Sequence, residues 1–257
     1  MLWSFRMKKT PDARDYQSGS SLEALSEKKA VAHVHHGAET CETCPTKSKG
    51  FLCSTSDEIS KTISRIKVDC HYKAGEFIFH AGTHAVGLFA VRSGVVKIEN
   101  LSNDGQAHTV RLVGAGGMIG YLAFFSGEKY ANSAIVMEDC DVCFLPSSEV
   151  HQLFKCHPEL GLKMISQLTE DVKRAETKWV NQIDKGAPAR IAEALIFLSD
   201  KFHEAQWTRK EIAEWAGTTT ETVIRTLALF EKEGLISQNY KNFHILDRSK
   251  LTQKSLS

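Results

Sequence analysis

The sequence predicts an α+β chain: an antiparallel β jelly-roll or barrel, then a long dimerisation helix, then a C-terminal winged helix-turn-helix. Three observations predict it. From about residue 71 to residue 146, short apolar runs alternate with Gly-containing turns, as in a small antiparallel barrel. After Pro158 the apolar spacing lengthens to steps of three and four, the period of a helix. From Thr208 to Ile236 the chain reads as two helices separated by a tight turn.

Composition narrows the class. A chain of 257 residues with 42% hydrophobic and 25% charged residues has room for one large or two ordinary globular domains. No apolar run approaches the roughly 18 residues of a membrane span. Met1 to Thr10 lacks the apolar core of a signal peptide, so a cytoplasmic location is expected. Net charge is only +1, and from Lys185 onward eleven Lys and Arg face nine Asp and Glu. Any nucleic-acid contact must therefore concentrate positive charge locally, with Arg209, Lys210, Arg225 and Lys241 as candidates. Seven cysteines without a leader suggest metal or redox chemistry more than a disulfide frame. No paired carboxylates, nucleophile–base arrangement or phosphate loop stands out, so no enzyme is expected.

The elements follow in order. Residues 1–40 are polar and lack periodicity, which predicts a flexible extension, with Ser18 to Ser21 a loop. His33, His35 and His36 are either metal-ligand candidates or part of a solvated tail, the simpler account. Residues 41–158 form the expected sensor domain. They open on Cys41, Cys44 and Cys53, a C-x2-C-x8-C run, and Asp57 to Arg65 reads as a short helix. Strands are expected at Phe77 to Phe79, Leu88 to Val91, Val95 to Glu99, Thr109 to Val113, Ser133 to Met137 and Asp141 to Leu145. Asn103-Asp104-Gly105 is a hairpin signal.

Residues 159–186 are the expected dimerisation helix and hinge. Ile165, Leu168, Val172, Ala175 and Trp179 alternate steps of three and four, an a/d seam with charges between its members. That stripe either packs on its own barrel or meets a second copy. A homodimer is expected, because DNA-reading modules of this kind bind twofold sites. Lys185-Gly186-Ala187-Pro188 breaks the helix, and residues 187–257 are the expected DNA-binding domain.

Within it, Thr208 and Glu211 make a capping box, and Gly217 stops the first helix. Any of Thr218, Thr219 and Thr220 can cap the second, whose apolar face is Val223, Leu227 and Phe230. Glu221 and Arg225 share the opposite side, with Ile224 beside them. They are either base readers in the major groove or an ordinary surface ion pair beside a half-buried Ile224. The cap decides part of this: with Thr218 as N-cap, Glu221 is occupied by a capping box, and with Thr219 it is free. Gly234-Leu-Ile, a turn at Asn239 to Asn242 and Phe243-His-Ile-Leu read as a two-stranded wing.

This order resembles the CRP/FNR family of bacterial transcription regulators. The resemblance covers roughly residues 41–248. It is carried by Thr208-Arg-Lys-Glu-Ile-Ala, Gly217, Glu221-Thr-Val-x-Arg225 and Gly234-Leu-Ile, and by Gly75-Glu-x-Ile-Phe, Ser93-Gly-x-Val-Lys and Gly116-Gly-x-Ile-Gly in the barrel. It implies a cyclic-nucleotide-binding-like barrel, a palindromic promoter site bound as a homodimer, and RNA polymerase as a partner. It also implies that Glu221 and Arg225 read bases, that Ile224 helps choose the half-site, and that Arg209 and the threonines lie at the DNA. Cyclic-AMP-binding members carry Glu and Arg where this chain has Tyr121 and Asn132, so a cyclic nucleotide is not expected. The FNR branch holds a [4Fe–4S] cluster on four thiolates, and Cys41, Cys44, Cys53 and Cys143 look like that set, with Cys140 a competitor for the last place. The spacing to Cys53 is longer than that branch uses. Zinc on the same thiolates, thiol redox at Cys41/Cys44 and a small barrel ligand are the alternatives. A non-DNA scaffold protein is a further one.

Overall fold

The computed structural model describes residues 33–35, 40–52, 54–102, 105–202, 205–239 and 242–256. The expectations placed on Ser18 to Ser21, His36, Cys53, Asn103-Asp104 and Lys241 lie outside the described residues.

The expected barrel is a sandwich of two antiparallel sheets. The first takes β1 (His33–His35), β2 (Val68–Tyr72), β4 (Gly87–Val91), β7 (Met118–Ile119) and β9 (Cys140–Pro146), in the order β1-β2-β9-β4-β7. The second takes β3 (Phe77–Phe79), β5 (Val96–Leu101), β6 (Ala107–Val113) and β8 (Ser133–Val136), in the order β3-β8-β5-β6. Strand alternation builds the core between them. Tyr72, Phe89, Val91, Val142 and Phe144 point inward from one sheet; Val96, Ile98, Ala134 and Val136 meet them from the other. The rings of Phe89 and Phe144 lie 4.8 Å apart at its centre, tilted by 31°. At the β5–β6 hairpin, Gly105 adopts φ +79°, and the Ser102 amide donates to Gln106 O at 2.9 Å.

The reverse faces of both sheets are covered as well. On the first sheet, Leu88 and Leu145 pack with α1 (Asp57–Ile66), through Ile59 and Ile63, and with α3 (Ser147–Cys156), through Val150 and Leu153. Leu160 and Met164, from the first turns of α4 (Glu159–Asp184), complete that cluster. On the second sheet, Val95 and Leu112 enter a core with α5 (Ala187–Lys201), α6 (Arg209–Ala216) and α7 (Thr220–Lys232). β10 (Ile236–Gln238), β11 (Phe243–Ile245) and α8 (Arg248–Ser255) finish the chain, with Ile236 and Leu251 fully buried. A short helix, α2 (Tyr121–Ser126), sits in the loop after β7.

Three sequence expectations are corrected. The extension is not featureless: His33–His35 pairs antiparallel with β2. Neither the helix Ser147–Cys156 nor strand β2 was anticipated. The exposed apolar stripe of α4 is also rotated from the predicted seam. Ile165, Val172 and Trp179 are 61, 56 and 67% exposed, and the stripe extends to Leu162 and Ile183 at 70 and 66%. Its apolar members are therefore residues 162, 165, 172, 179 and 183. Leu168 instead packs against the chain's own barrel cluster, and Ala175 lines a cavity beside the barrel.

Candidate nucleic-acid interface and sensor cavity

Helices α6 and α7 form the helix-turn-helix. The Thr208 hydroxyl accepts from the Glu211 amide at 3.2 Å, and Glu211 Oε2 accepts from the Thr208 amide at 2.7 Å, the reciprocal box expected from the sequence. Gly217 ends α6 at φ +63°, the left-handed conformation that favours glycine. Ile212, Ala213 and Ala216 pack against Val223, Leu227 and Phe230, which fixes α7 on α6.

The N-cap of α7 is Thr219, whose side chain accepts from the Thr222 amide at 3.2 Å. Glu221 is therefore at N2, outside any capping box. Glu221, Ile224 and Arg225 are all exposed, Ile224 by 53%. No ion pair joins Glu221 to Arg225 among the described residues. The surface-pair account of these two is therefore not what the structure contains. Thr218 is half-buried, its amide donating to Ala213 O at 3.0 Å, and Thr220 is exposed in the first turn. The Arg209 guanidinium donates to Gln238 Oε1 at 2.6 Å and Asn239 O at 3.1 Å, tying α6 to the wing.

A cavity of about 770 Å³ lies where the barrel, α4 and the helix-turn-helix meet. Tyr121 and Asn132 both line it. Among its charged lining residues are two that the sequence did not single out, Arg111 and Lys178. Arg111 donates to Asp171 at 3.0 Å and to Met118 O at 3.1 Å, and also bonds to the Tyr121 hydroxyl, which in turn bonds to Asp171. Of the guanidinium groups that line the cavity, that of Arg111 is thus already paired. Lys178 reaches from α4 to Thr109 O at 2.8 Å and lies 3.8 Å from the centre of the Trp215 ring. Burial lowers its pKa to about 8 against the opposing charge of Glu193. Lys178 flanks Trp179 on the seam, but its partners are distant in the chain, Thr109 of β6 at 69 residues and Trp215 on α6. Lys97 also crosses to the helix-turn-helix, bonding Glu214 at 2.8 Å.

Cys41 is buried in the cluster with Leu145 and Ile63, and Cys44 Sγ lies 3.1 Å from the Thr46 hydroxyl. Cys143 donates to Asp69 at 3.6 Å, and burial pushes its thiol up to about 12. Among the described residues no three potential donors converge on a metal position. Cys53, the third thiol of the expected cluster set, lies outside the described residues. Cys140 is buried inside the sandwich, so it is no substitute ligand.

Residues 69–157 match the cyclic nucleotide-binding domain family, and residues 189–254 match the Crp-like helix-turn-helix domain family. The chain is 30% identical over 215 residues to the transcriptional activator protein anr of Pseudomonas aeruginosa, spanning 78% of this chain and 85% of that protein. The fumarate and nitrate reduction regulatory protein of Vibrio cholerae is 26% identical over 247 residues, 89% of this chain and 96% of that one. A solved CRP/FNR-family transcriptional regulator from Thermus thermophilus superposes with a TM-score of 0.64 at 26% identity, covering 74% of this chain and 98% of that chain. With its sandwich, long helix and winged helix-turn-helix in the same order, the chain belongs to the CRP/FNR family of transcription regulators.

Proposed function

We propose that the chain controls transcription as a homodimer bound to a palindromic promoter site, with one α7 helix from each copy in the major groove and RNA polymerase as its partner at the promoter. The observation that carries this reading is the exposed Glu221–Ile224–Arg225 side of α7, where no ion pair joins the two charges among the described residues. Arg225 is suited to guanine O6 and N7, Glu221 to cytosine N4 and Ile224 to a thymine methyl. Thr218, Thr219 and Thr220 stand at the helix N-terminus, where hydroxyls and amides suit a phosphate. Arg209 acts through the wing. The exposed stripe from Leu162 to Ile183 supports the dimer, since its apolar members recur at coiled-coil spacing and stay open to solvent. The test is selection of bound duplexes from a random pool, followed by binding titrations. An inverted repeat should emerge, and Arg225→Ala should lose about 10- to 100-fold in discrimination at one position per half-site while keeping salt-dependent nonspecific binding. Selection without an inverted repeat would overturn the reading.

For the signal, a [4Fe–4S] cluster on Cys41, Cys44, Cys53 and Cys143, responsive to oxygen, nitric oxide or redox state, is a second reading. One observation favours it. Strand alternation puts Cys143 on the same face of β9 as Leu145, whose cluster holds Cys41. In the structure the half-buried Cys143 thiol donates to Asp69. Protein purified without oxygen should be brown, hold about four irons per chain and bleach in air if it is right. Colourless, iron-free protein would leave thiol redox or a ligand in the 770 Å³ cavity as the control.

A further inference from the structure

A helix leaves its last carbonyls without backbone partners, and the turn after α6 is where the reading helix begins. Here two of the carbonyls at that turn are taken by side chains from α4 and α5. Arg190, in the first turn of α5, donates from Nε to Ala216 O at 2.9 Å and from one terminal nitrogen to Gly217 O at 3.1 Å. Its other terminal nitrogen donates at 2.6 Å to the carbonyl of Lys185, the residue that caps α4. Gln182, in the last turn of α4, adds a second donor to Ala216 O at 3.3 Å. Glu193 of α5 strengthens the same junction, accepting from Asn181 Nδ2 at 2.7 Å and from Lys185 Nζ at 2.9 Å. The guanidinium is a rigid planar fork, so bonds in three directions fix distance and angle together. Its charge also suits the negative end of the α6 dipole. One side chain thus joins the end of α4 to the turn that leads into α7, two residues before the N-cap Thr219. Gln182 lies between Trp179 and Ile183, the last members of the exposed stripe on α4.

We propose that Arg190, seconded by Gln182, is a positioning residue that holds the two reading helices of a dimer at one separation and so sets the half-site spacing the protein accepts. The inference rests on the dimeric DNA-binding reading above. The covalent link between α4 and α5 is only Lys185 and Gly186, both in extended conformation, and such a link swivels unless something spans it. Moving two half-sites apart by one base pair displaces them by about 3.4 Å and turns them by roughly 35°. A free link follows that change, whereas a link bridged by Arg190 resists it. Binding of a dimer to two half-sites is bivalent. The clamp therefore raises the effective concentration of the second reading helix at a matched half-site and lowers it at a mismatched one. Lys178, stacked on Trp215, supports the junction one turn earlier on α4, but Arg190 is the side chain that grips the turn itself.

The test uses the full chain and the inverted repeat it selects from a random pool, rebuilt with the half-sites one base pair closer, unchanged, and one or two base pairs further apart, together with a single half-site. Wild type should prefer one spacing over its neighbours by about 10- to 100-fold. Arg190→Gln should narrow that preference to about 3-fold or less and cost about 10-fold at the preferred spacing, while binding the single half-site as wild type does. Arg190→Lys keeps the charge and loses the fork, so it should be relaxed as well. Leu251→Val, which loosens the buried core of the same unit away from the clamp, should keep the wild-type spacing profile. Full spacing selectivity in Arg190→Gln, or in Arg190→Lys should the glutamine variant fail to fold, would overturn the proposal and leave the dimeric reading standing. Equal relaxation in Leu251→Val would also overturn it, by making the effect one of general stability. Wild type that selects no inverted repeat would overturn both.

Discussion

Lys178→Met removes a charge that joins the long helix, the barrel and the helix-turn-helix. The ammonium bonds Thr109 O of β6 and lies over the Trp215 ring of α6. Burial, opposed by Glu193, takes its pKa from 10.5 to about 8. Between those values the unfolded chain holds the proton and the folded chain does not, so this group makes stability rise as pH climbs through 8 toward 10.5. From about pH 7 to about pH 9 the rise amounts to roughly 1.3 kcal/mol. At neutral pH, relief of the buried charge is offset by loss of the cation–π contact, about 1–2 kcal/mol, and of one hydrogen bond, about 1 kcal/mol. The net effect of Lys178→Met there is consequently small, and the pH slope is the diagnostic. Urea unfolding of both proteins, followed by circular dichroism at several pH values, isolates it, because every other titrating group is common to the two. The wild type should gain roughly 1.3 kcal/mol on the variant over that range. Parallel pH profiles would refute the reasoning, for the ammonium would then be solvated and the three units would not be packed together there.

Three further outcomes are expected. Trp179→Asp, on the exposed stripe, should shift the protein from dimer to monomer in sedimentation at micromolar concentration, whereas Leu168→Ala should lower the thermal midpoint of the barrel and leave the dimer intact. Thr219→Ala should cost about 1 kcal/mol in denaturant unfolding, the loss of one N-cap. Phe230→Ala, emptying a fully buried site between α6 and α7, should cost about 3–5 kcal/mol and abolish DNA binding along with the fold of that unit.

The helix-turn-helix was legible almost to the residue because its signals are local. A capping box, a left-handed glycine and an apolar period act over a few residues, and Thr208, Gly217 and Phe230 each did what their positions implied. The strands from Phe77 to Val113 were legible for the same reason, being separated by glycine-containing turns. The seam was legible as a stripe but not in its phase. Steps of three and four fit two neighbouring faces of one helix, and only the packing of Leu168 on the barrel selects between them. Helix α3 was hidden because its two buried residues, Val150 and Leu153, make too short a pattern to stand out.

By itself the sequence determined the order of units, the reading helix and its exposed Glu221, Ile224 and Arg225, since these follow from periodicity and caps. Only the tertiary structure decided what depends on residues far apart in the chain. It paired Arg111 with Asp171, bonded Arg209 to Gln238 of the wing, and aligned the backbone of His33 and His35 with His71 and Asp69. Each of those outcomes is set by the register of sheets and the docking of one unit on another, and such long-range pairings leave no periodic trace in the chain.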